Sequence, residues 1–269
     1  MAIITISRGS YSKGKEVAEK VAQKLGYQCY AREVILEASK EFNIPEIKLV
    51  NAVHDAPSIL ERFSYGKEEF IAYFQAALLK CFRRDNVVYH GLAGHFYVKG
   101  VSHVLKVRII ADMKDRIQIV MDREKIPYES AVTLIKNDDL ERRKWSQHLY
   151  GINTSDPILY DLVIRVRKMS ADDAADVICH TAGLETFRTT FESQKAMEDL
   201  VLASEVKTTL LELRPEIQVS VRDGVVTLGT SAKIMKDPDV VREMERITGS
   251  IPGVKEINVK AARLVKWSE

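Results

Sequence analysis

The sequence predicts an α/β protein: a parallel sheet sandwiched by helices over residues 1–183, followed by a small α+β domain of order αββαβ over residues 194–265. Three observations carry this. The chain opens with a short apolar run, a glycine-containing loop and a periodic helix. Strands then alternate with helices as far as Thr181, the pattern of a parallel sheet covered on both faces. After Gly183 the pattern changes to a helix, an alternating hairpin and one more helix–strand pair.

Ala2 to Ile6 is rich in β-branched residues, as expected of a strand buried on both faces. Arg8 to Gly14 is a loop of small and polar residues, after which Val17, Val21 and Leu25 recur at helical spacing until Gly26 stops the helix. Helical patterns follow at Glu33–Phe42, Ile47–Val53 and Glu68–Phe82. Asn86–His90 and Val104–Ala111 read as buried strands. Helices are expected over Met113–Glu124 and from Ser130 to about Tyr150, then a strand over Tyr160–Val166 and a helix over Ala171–Thr181.

Residues 184–193 have no clear period and read as a linker. Met197, Leu200, Val201, Val206, Leu210 and Leu213 then mark an amphipathic helix ending near Pro215. Ile217, Val219 and Val221 alternate, Asp223-Gly224 turns the chain, and Val225–Leu228 returns, a strong hairpin signal. A helix from Asp237 to about Thr248 and an alternating run over Val254–Val259 complete the second domain.

Composition narrows the function. The 269 residues are 46% hydrophobic and 29% charged, an ordinary globular balance. Lys plus Arg number 40 against 38 Asp plus Glu, 28 against 26 up to Ser193 and 12 against 12 from Gln194 onward. A phosphate-tracking nucleic-acid binder needs a clear basic excess, so nucleic acid is not an expected partner. Cys29, Cys81 and Cys179 are too far apart for a zinc ribbon and read as small buried hydrophobes of a reducing compartment. No apolar tract is long enough to cross a membrane, and the N-terminus does not read as a signal peptide, so a cytoplasmic protein is expected.

The sharpest chemical feature is Gly9-Ser10-Tyr11-Ser12-Lys13-Gly14-Lys15-Glu16, which matches G-x-x-x-x-G-K. Small residues let backbone N–H groups turn inward around phosphate oxygens. The helix N-terminus adds partial positive charge, and a lysine reaches the outer phosphates. The motif sits directly after a first buried strand and opens a helix, as that chemistry requires. Glu16 stands where a full motif has Ser or Thr to hold Mg²⁺. Pointed inward it would repel phosphates, so it is expected to face outward as a favourable N-terminal charge.

Residues Ile3 to Cys179 resemble the cytidylate-kinase-like family of phosphate-loop nucleoside monophosphate kinases. The resemblance rests on I-S-R-x-x-x-S-x-G-K-E at Ile6–Glu16, A-R-E-V at Ala31–Val34, N-V-V-Y-H-G at Asn86–Gly91, D-R-I at Asp115–Ile117, D-D-x-x-R-R at Asp138–Arg143 and Y-D-L-V-I at Tyr160–Ile164. It implies ATP with Mg²⁺ as donor, and CMP or dCMP as the leading acceptor. Lys13, Lys15 and the loop backbone would hold the donor phosphates, and Arg32, His90 and Gly91 the acceptor. Arg142 and Arg143 would supply cations from a lid. No protein metal ligand is assigned; Asp138 and Asp139 are read equally as partners of those arginines or as metal contacts. Arg62, Arg116 and Arg123 are read as solvated or ion-paired. Tyr65, Tyr73, Trp145 and Tyr150 are read as packing residues. The family often has G-R-G where this chain has Gly91-Leu92-Ala93, so an acceptor-side cation is missing.

The second domain resembles the BON domain, on V-S-V-R-D-G-V-V-T-L-G at Val219–Gly229 and I-P-G-V-K-E-I at Ile251–Ile257. This implies a small ligand or lipid, or a regulatory or homo-oligomerising role. Two rivals to a nucleoside monophosphate kinase stand: a nucleotide-binding regulator that has lost turnover, and a kinase of another small molecule.

Overall fold

The structure, a computed structural model, describes residues 2–31, 33–42, 66–91, 93–211, 213 and 216–262. The helix expected at Ile47–Val53 and residues Arg32, Arg62, Tyr65, Leu92 and Pro215 lie outside the described residues.

Strand β1 (Ile3–Arg8) is the middle strand of a five-stranded parallel sheet. The others are β2 (Gln28–Tyr30), β3 (Val87–His90), β4 (Val104–Ile110) and β5 (Leu162–Arg165), in the order β2-β3-β1-β4-β5. Ile3, Ile4 and Ile6 are essentially unexposed, each side chain contributing about 1.5–3 kcal/mol by burial. Both faces are covered. Helix α1 (Gly14–Leu25) and a later helix, Ala171–Ala182, share one core with Ile4 and Val107. On the other face α2 (Glu33–Glu41) and α3 (Gly66–Phe82) pack with Ile3, Val87 and Tyr89.

Helices α4 (Met113–Glu124) and α5 (Tyr128–Tyr150) join β4 to β5, and the helix Ala171–Ala182 is α6. From β1 the chain moves toward β2, whereas from β3 it crosses to β4 on the other side. Loops leaving β1 and β3 therefore diverge at their carboxyl ends and open a crevice there, the expected ligand position in such sheets.

The second unit matches the expected order: α7 (Phe191–Leu210), β6 (Gln218–Arg222), β7 (Val225–Thr230), α8 (Pro238–Gly249) and β8 (Glu256–Ala261). Strands β6 and β7 are antiparallel, and β8 joins β7 in parallel. Asp223 (φ 56°) and Gly224 (φ 81°) both take positive φ, the geometry that a two-residue hairpin turn of matching twist demands. The Asp199 carboxylate on α7 accepts the amide N–H groups of both, at 2.8 and 3.3 Å.

Helix α7 begins earlier than its apolar spacing implied. Thr190 and Ser193 form a reciprocal capping box, so the first helical turn falls inside residues 184–193, and a 3₁₀ turn occupies Glu185–Phe187. Its first half feeds Met197 and Val201 into the core that contains Phe74 and Phe82. Its second half feeds Leu202, Val206 and Leu210 into the core built on Val226, Leu228 and Met244. One helix thus belongs to two cores.

Candidate active site

The loop Gly9–Lys13 is fixed from within. The Ser12 hydroxyl lies 2.9 Å from the Gly9 carbonyl and 3.2 Å from that of Ile109, and the Gly9 amide donates to the same Ile109 carbonyl. Tyr11 (φ 57°) and Lys13 (φ 61°) are held in the left-handed region, which costs a non-glycine residue about 1 kcal/mol. Such strain persists only where the surroundings impose it, and it collects at ligand-binding turns. Lys13 is the left-handed N-cap of α1 and no side chain caps that helix, so the amides of Gly14, Lys15 and Glu16 have no intrahelical acceptor. Together with the helix dipole they form an anion-binding end.

Gly14 has a steric reason to be glycine: a Cβ there would lie 2.6 Å from Cβ of Arg8. Arg8 ends β1 and was passed over in the sequence as a loop residue. It is partly buried, its Nε has no hydrogen-bond partner, and it faces the crevice. Arg142 on α5 meets it there, its Nη1 3.5 Å from the Arg8 carbonyl oxygen. Burial, and then Arg142, holds the Arg8 guanidinium below its ordinary pKa, and burial does the same to Arg142. Among the described residues neither arginine has a salt bridge. Both cations are partly desolvated, with the Asp138 and Asp139 carboxylates favouring the charge of Arg142, and a multivalent anion in the crevice would stabilise them further.

Arg116 is ion-paired, but buried rather than at the surface. Only 8% exposed, it donates through Nε to the Ser10 carbonyl and pairs with Asp139 at 2.6 Å. Asp139 in turn accepts the Ser10 amide at 3.3 Å. Its pattern, an Arg on the first turn of the helix after β4, carried no separate signal of burial. Burial, then the Asp138 carboxylate, holds the Tyr11 hydroxyl above its ordinary pKa, and Arg123 lies over the Tyr11 ring with its Cζ 5.2 Å from the ring centre.

The other candidates separate. Lys13, Lys15 and Glu16 are exposed, and Lys15 lies 3.6 Å from Glu19. Arg143 is exposed on α5, away from its neighbour Arg142, because successive residues of a helix diverge by about 100°. His90 is 6% exposed at the end of β3, and Nδ1 has no partner. Burial, followed by Arg8, pushes its pKa down to about 4. Gly91 lines a small cavity with Ser7, Arg8, His95, Arg142 and Trp145, so Trp145 both packs in the core and walls the crevice. Tyr150 is buried and Tyr73 stacks on Phe42, as packing residues.

Among the described residues no group of three His, Cys, Asp or Glu side chains gathers to hold a metal. No described helix is long and apolar enough to cross a membrane. Cys29, Cys81 and Cys179 form no disulfide among the described residues, with Cys81 buried and the other two partly so.

A parallel sheet in this strand order, with its first strand leading through a glycine-containing loop into a helix, has the architecture of the phosphate-loop kinases. The sequence model of the cytidylate kinase-like family matches residues 3–168, and the chain belongs to that family. The cytidylate kinase of Pyrococcus horikoshii is 27% identical over 179 residues, covering 65% of this chain and 85% of that protein. The cytidylate kinase of Thermococcus sibiricus is 36% identical over 93 residues, 35% of this chain and 47% of that protein. The crystal structure of an uncharacterized protein from Eubacterium ventriosum superposes with a TM-score of 0.53 at 21% identity. It covers 68% of this chain and 98% of the other, a likeness of fold.

Proposed function

We propose that this chain transfers the terminal phosphoryl group of ATP directly to a nucleoside monophosphate, with CMP or dCMP as the leading acceptor. The observation that carries the reading is the meeting of Arg8 and Arg142 beside the uncapped N-terminus of α1. Phosphoryl transfer asks little covalent chemistry of a protein. It needs donors and cations fixed around the oxygens, and exclusion of water.

In this reading residues 1–183 are the catalytic domain. The loop Gly9–Lys13, the first α1 amides and Lys15 hold the donor phosphates. Arg8 and Arg142 stand between donor and acceptor, where charge develops on the transferred group. Arg32, His90 and Gly91 serve the acceptor side, and Arg143 is left outside. Mg²⁺ accompanies ATP in kinases of this kind, but among the described residues none gather to hold the ion. Glu16 replaces the usual hydroxyl and is exposed, and Asp139 is committed to Arg116 and Ser10.

Residues 194–265 are read as a BON-like accessory unit that binds a small ligand or lipid, or pairs copies of the chain. The sharing of α7 between two cores supports a second reading, a nucleotide-binding regulator that signals through this unit.

An ADP-release assay with ATP, Mg²⁺ and CMP, dCMP, UMP, AMP or GMP tests the proposal, with Lys15→Ala beside the wild type. Acceptor-dependent ADP that vanishes in the variant establishes the kinase. ATP binding without release, under every acceptor, overturns it in favour of the regulator.

A further inference from the structure

Strand β5 is the last strand of the five-stranded sheet, and among the described residues its only strand neighbour is β4. The amides at its two ends, those of Asp161 and Val166, donate to the Lys106 and Ile110 carbonyls, both on β4. The other edge of β5 is left without a partner strand. Its side chains alternate: Asp161, Val163 and Arg165 are exposed on one face, while Ile164 is buried on the other in the core with α1 and α6. Val163 is 44% exposed. An open edge is a template for another strand, and charges of one sign placed along it keep a second copy away. Strand β5 instead has one charge of each sign, Asp161 and Arg165, two residues to either side of Val163.

We propose that the β5 edge pairs two copies of this chain, antiparallel about Val163. A two-fold axis makes a strand that pairs with its own copy antiparallel, and it makes the contact self-complementary. Centred on Val163, the pairing sets Val163 against Val163, and Asp161 against Arg165 at both ends. Moving the axis by one residue would set Val163 against a charge instead. Opposite charges directly across a ladder stabilise it. Both groups keep an atom for this contact. Arg165 gives Nε and Nη2 to Asp112, at 2.6 and 2.5 Å, which leaves Nη1 without a partner among the described residues. Asp161 gives Oδ2 to the Lys106 amide at 2.8 Å, which leaves Oδ1. The two five-stranded sheets join into one, with the strands of the two copies running in opposite directions. The crevices at their carboxyl ends then open at opposite ends of the joined sheet, and neither covers the other. This pairing runs through the first domain and does not use residues 194–265.

Sedimentation equilibrium of the full chain tests this with wild type, Val163→Lys, Asp161→Lys and Arg165→Glu, each checked by a circular dichroism melt. A four-residue ladder is smaller than a standard interface, so the wild type should dimerise weakly, with Kd on the order of 10 μM. Each variant alone should weaken pairing about tenfold, as two attractive cross-strand pairs become repulsive or a lysine meets its own copy. An equal mixture of Asp161→Lys and Arg165→Glu should recover wild-type pairing, because each end of the ladder then again holds opposite charges. ADP release per chain should be unchanged in Val163→Lys. A wild type that stays monomeric to about 200 μM, well above the Kd expected for so small an interface, overturns the proposal. So does a dimer that all three variants leave intact, which places the contact on another face, and so does a mixture that stays as weak as its components.

Discussion

Arg116 ties the phosphate loop to helix α5: one nitrogen of its guanidinium donates to the Ser10 carbonyl at 2.7 Å while another pairs with Asp139 at 2.6 Å. Because Asp139 also accepts the Ser10 amide, both backbone groups of Ser10 are held by one ion pair. Arg116→Met leaves the partly buried Asp139 carboxylate uncompensated and should cost about 3 kcal/mol, read as a lower denaturant midpoint. Arg116→Met combined with Asp139→Leu should recover most of that stability, since an apolar pair replaces an ionic one. Turnover should stay low in both, because Ser10 is no longer positioned. A double variant no more stable than the single one would refute the coupling.

Gly14 and Gly26 make a paired test of the loop. At Gly26 (φ 68°) a Cβ meets nothing within 4 Å, so Gly26→Ala should cost only the left-handed strain, about 1 kcal/mol. At Gly14 the new Cβ collides with Arg8 at 2.6 Å, and the arginine or the helix start must move. Gly14→Ala should therefore cut kcat/KM sharply, while Gly26→Ala leaves it near wild type. Equal effects on turnover would show that the position of Arg8 does not matter.

Arg142 separates stability from activity. Burial opposes its charge while the carboxylates of Asp138 and Asp139 favour it, so the two effects of removing the charge on stability offset each other. Arg142→Met should melt near the wild-type temperature yet lose about 100-fold or more in kcat, the scale of one lost transition-state donor. Arg143→Met, at an exposed position, should change neither by much. A wild-type kcat in Arg142→Met would remove it from the site.

Why the loop was legible and the burial of Arg8 and Arg116 was not is a matter of range. The Gly9–Glu16 motif, β1 and α1 are local: alternation, helical spacing and glycine placement act within a few residues, and the elements formed where those signals lie. The Asp223-Gly224 turn is equally local, since backbone sterics alone dictate it. Arg8 and Arg116 become buried only through partners more than a hundred residues away, Arg142 and Ser10 respectively, and no periodicity reports such distances. The same holds for His95, whose burial depends on Tyr160 arriving from far along the chain. Strand β2 is only three residues long, too short for its alternation to mark.

His90 and His95 set an acid limit. Both are buried neutral, with pKa values pushed down to about 4 and about 3 against an ordinary 6.5. Below pH 6.5 the unfolded chain binds protons that the folded chain refuses, so unfolding is favoured as pH falls. Their contribution is complete above 6.5 and is lost as pH drops toward 4. Denaturant midpoints should thus fall between pH 6.5 and 4.5, before the carboxylates titrate. His90→Asn with His95→Gln should flatten that slope, and an unchanged slope would assign it to other groups.

The shared helix α7 decides what can be cut. Met197 (0% exposed) and Val201 (2% exposed) belong to the core that holds Phe74, Phe82 and Val104, although they follow the expected boundary at residue 183. His103, buried just before β4, has its Nδ1 2.7 Å from the Ser193 hydroxyl, and Lys80 on α3 is paired with Glu41 and reaches Glu205 on α7. A chain ending at residue 183 uncovers those aromatic side chains and strips His103 of its partner. It should melt well below the full-length protein and aggregate, whereas a chain ending at residue 211 keeps the first core covered. Circular dichroism melts and light scattering on the two truncations check this. If the shorter chain melts and scatters like the full protein, α7 belongs to the second core alone.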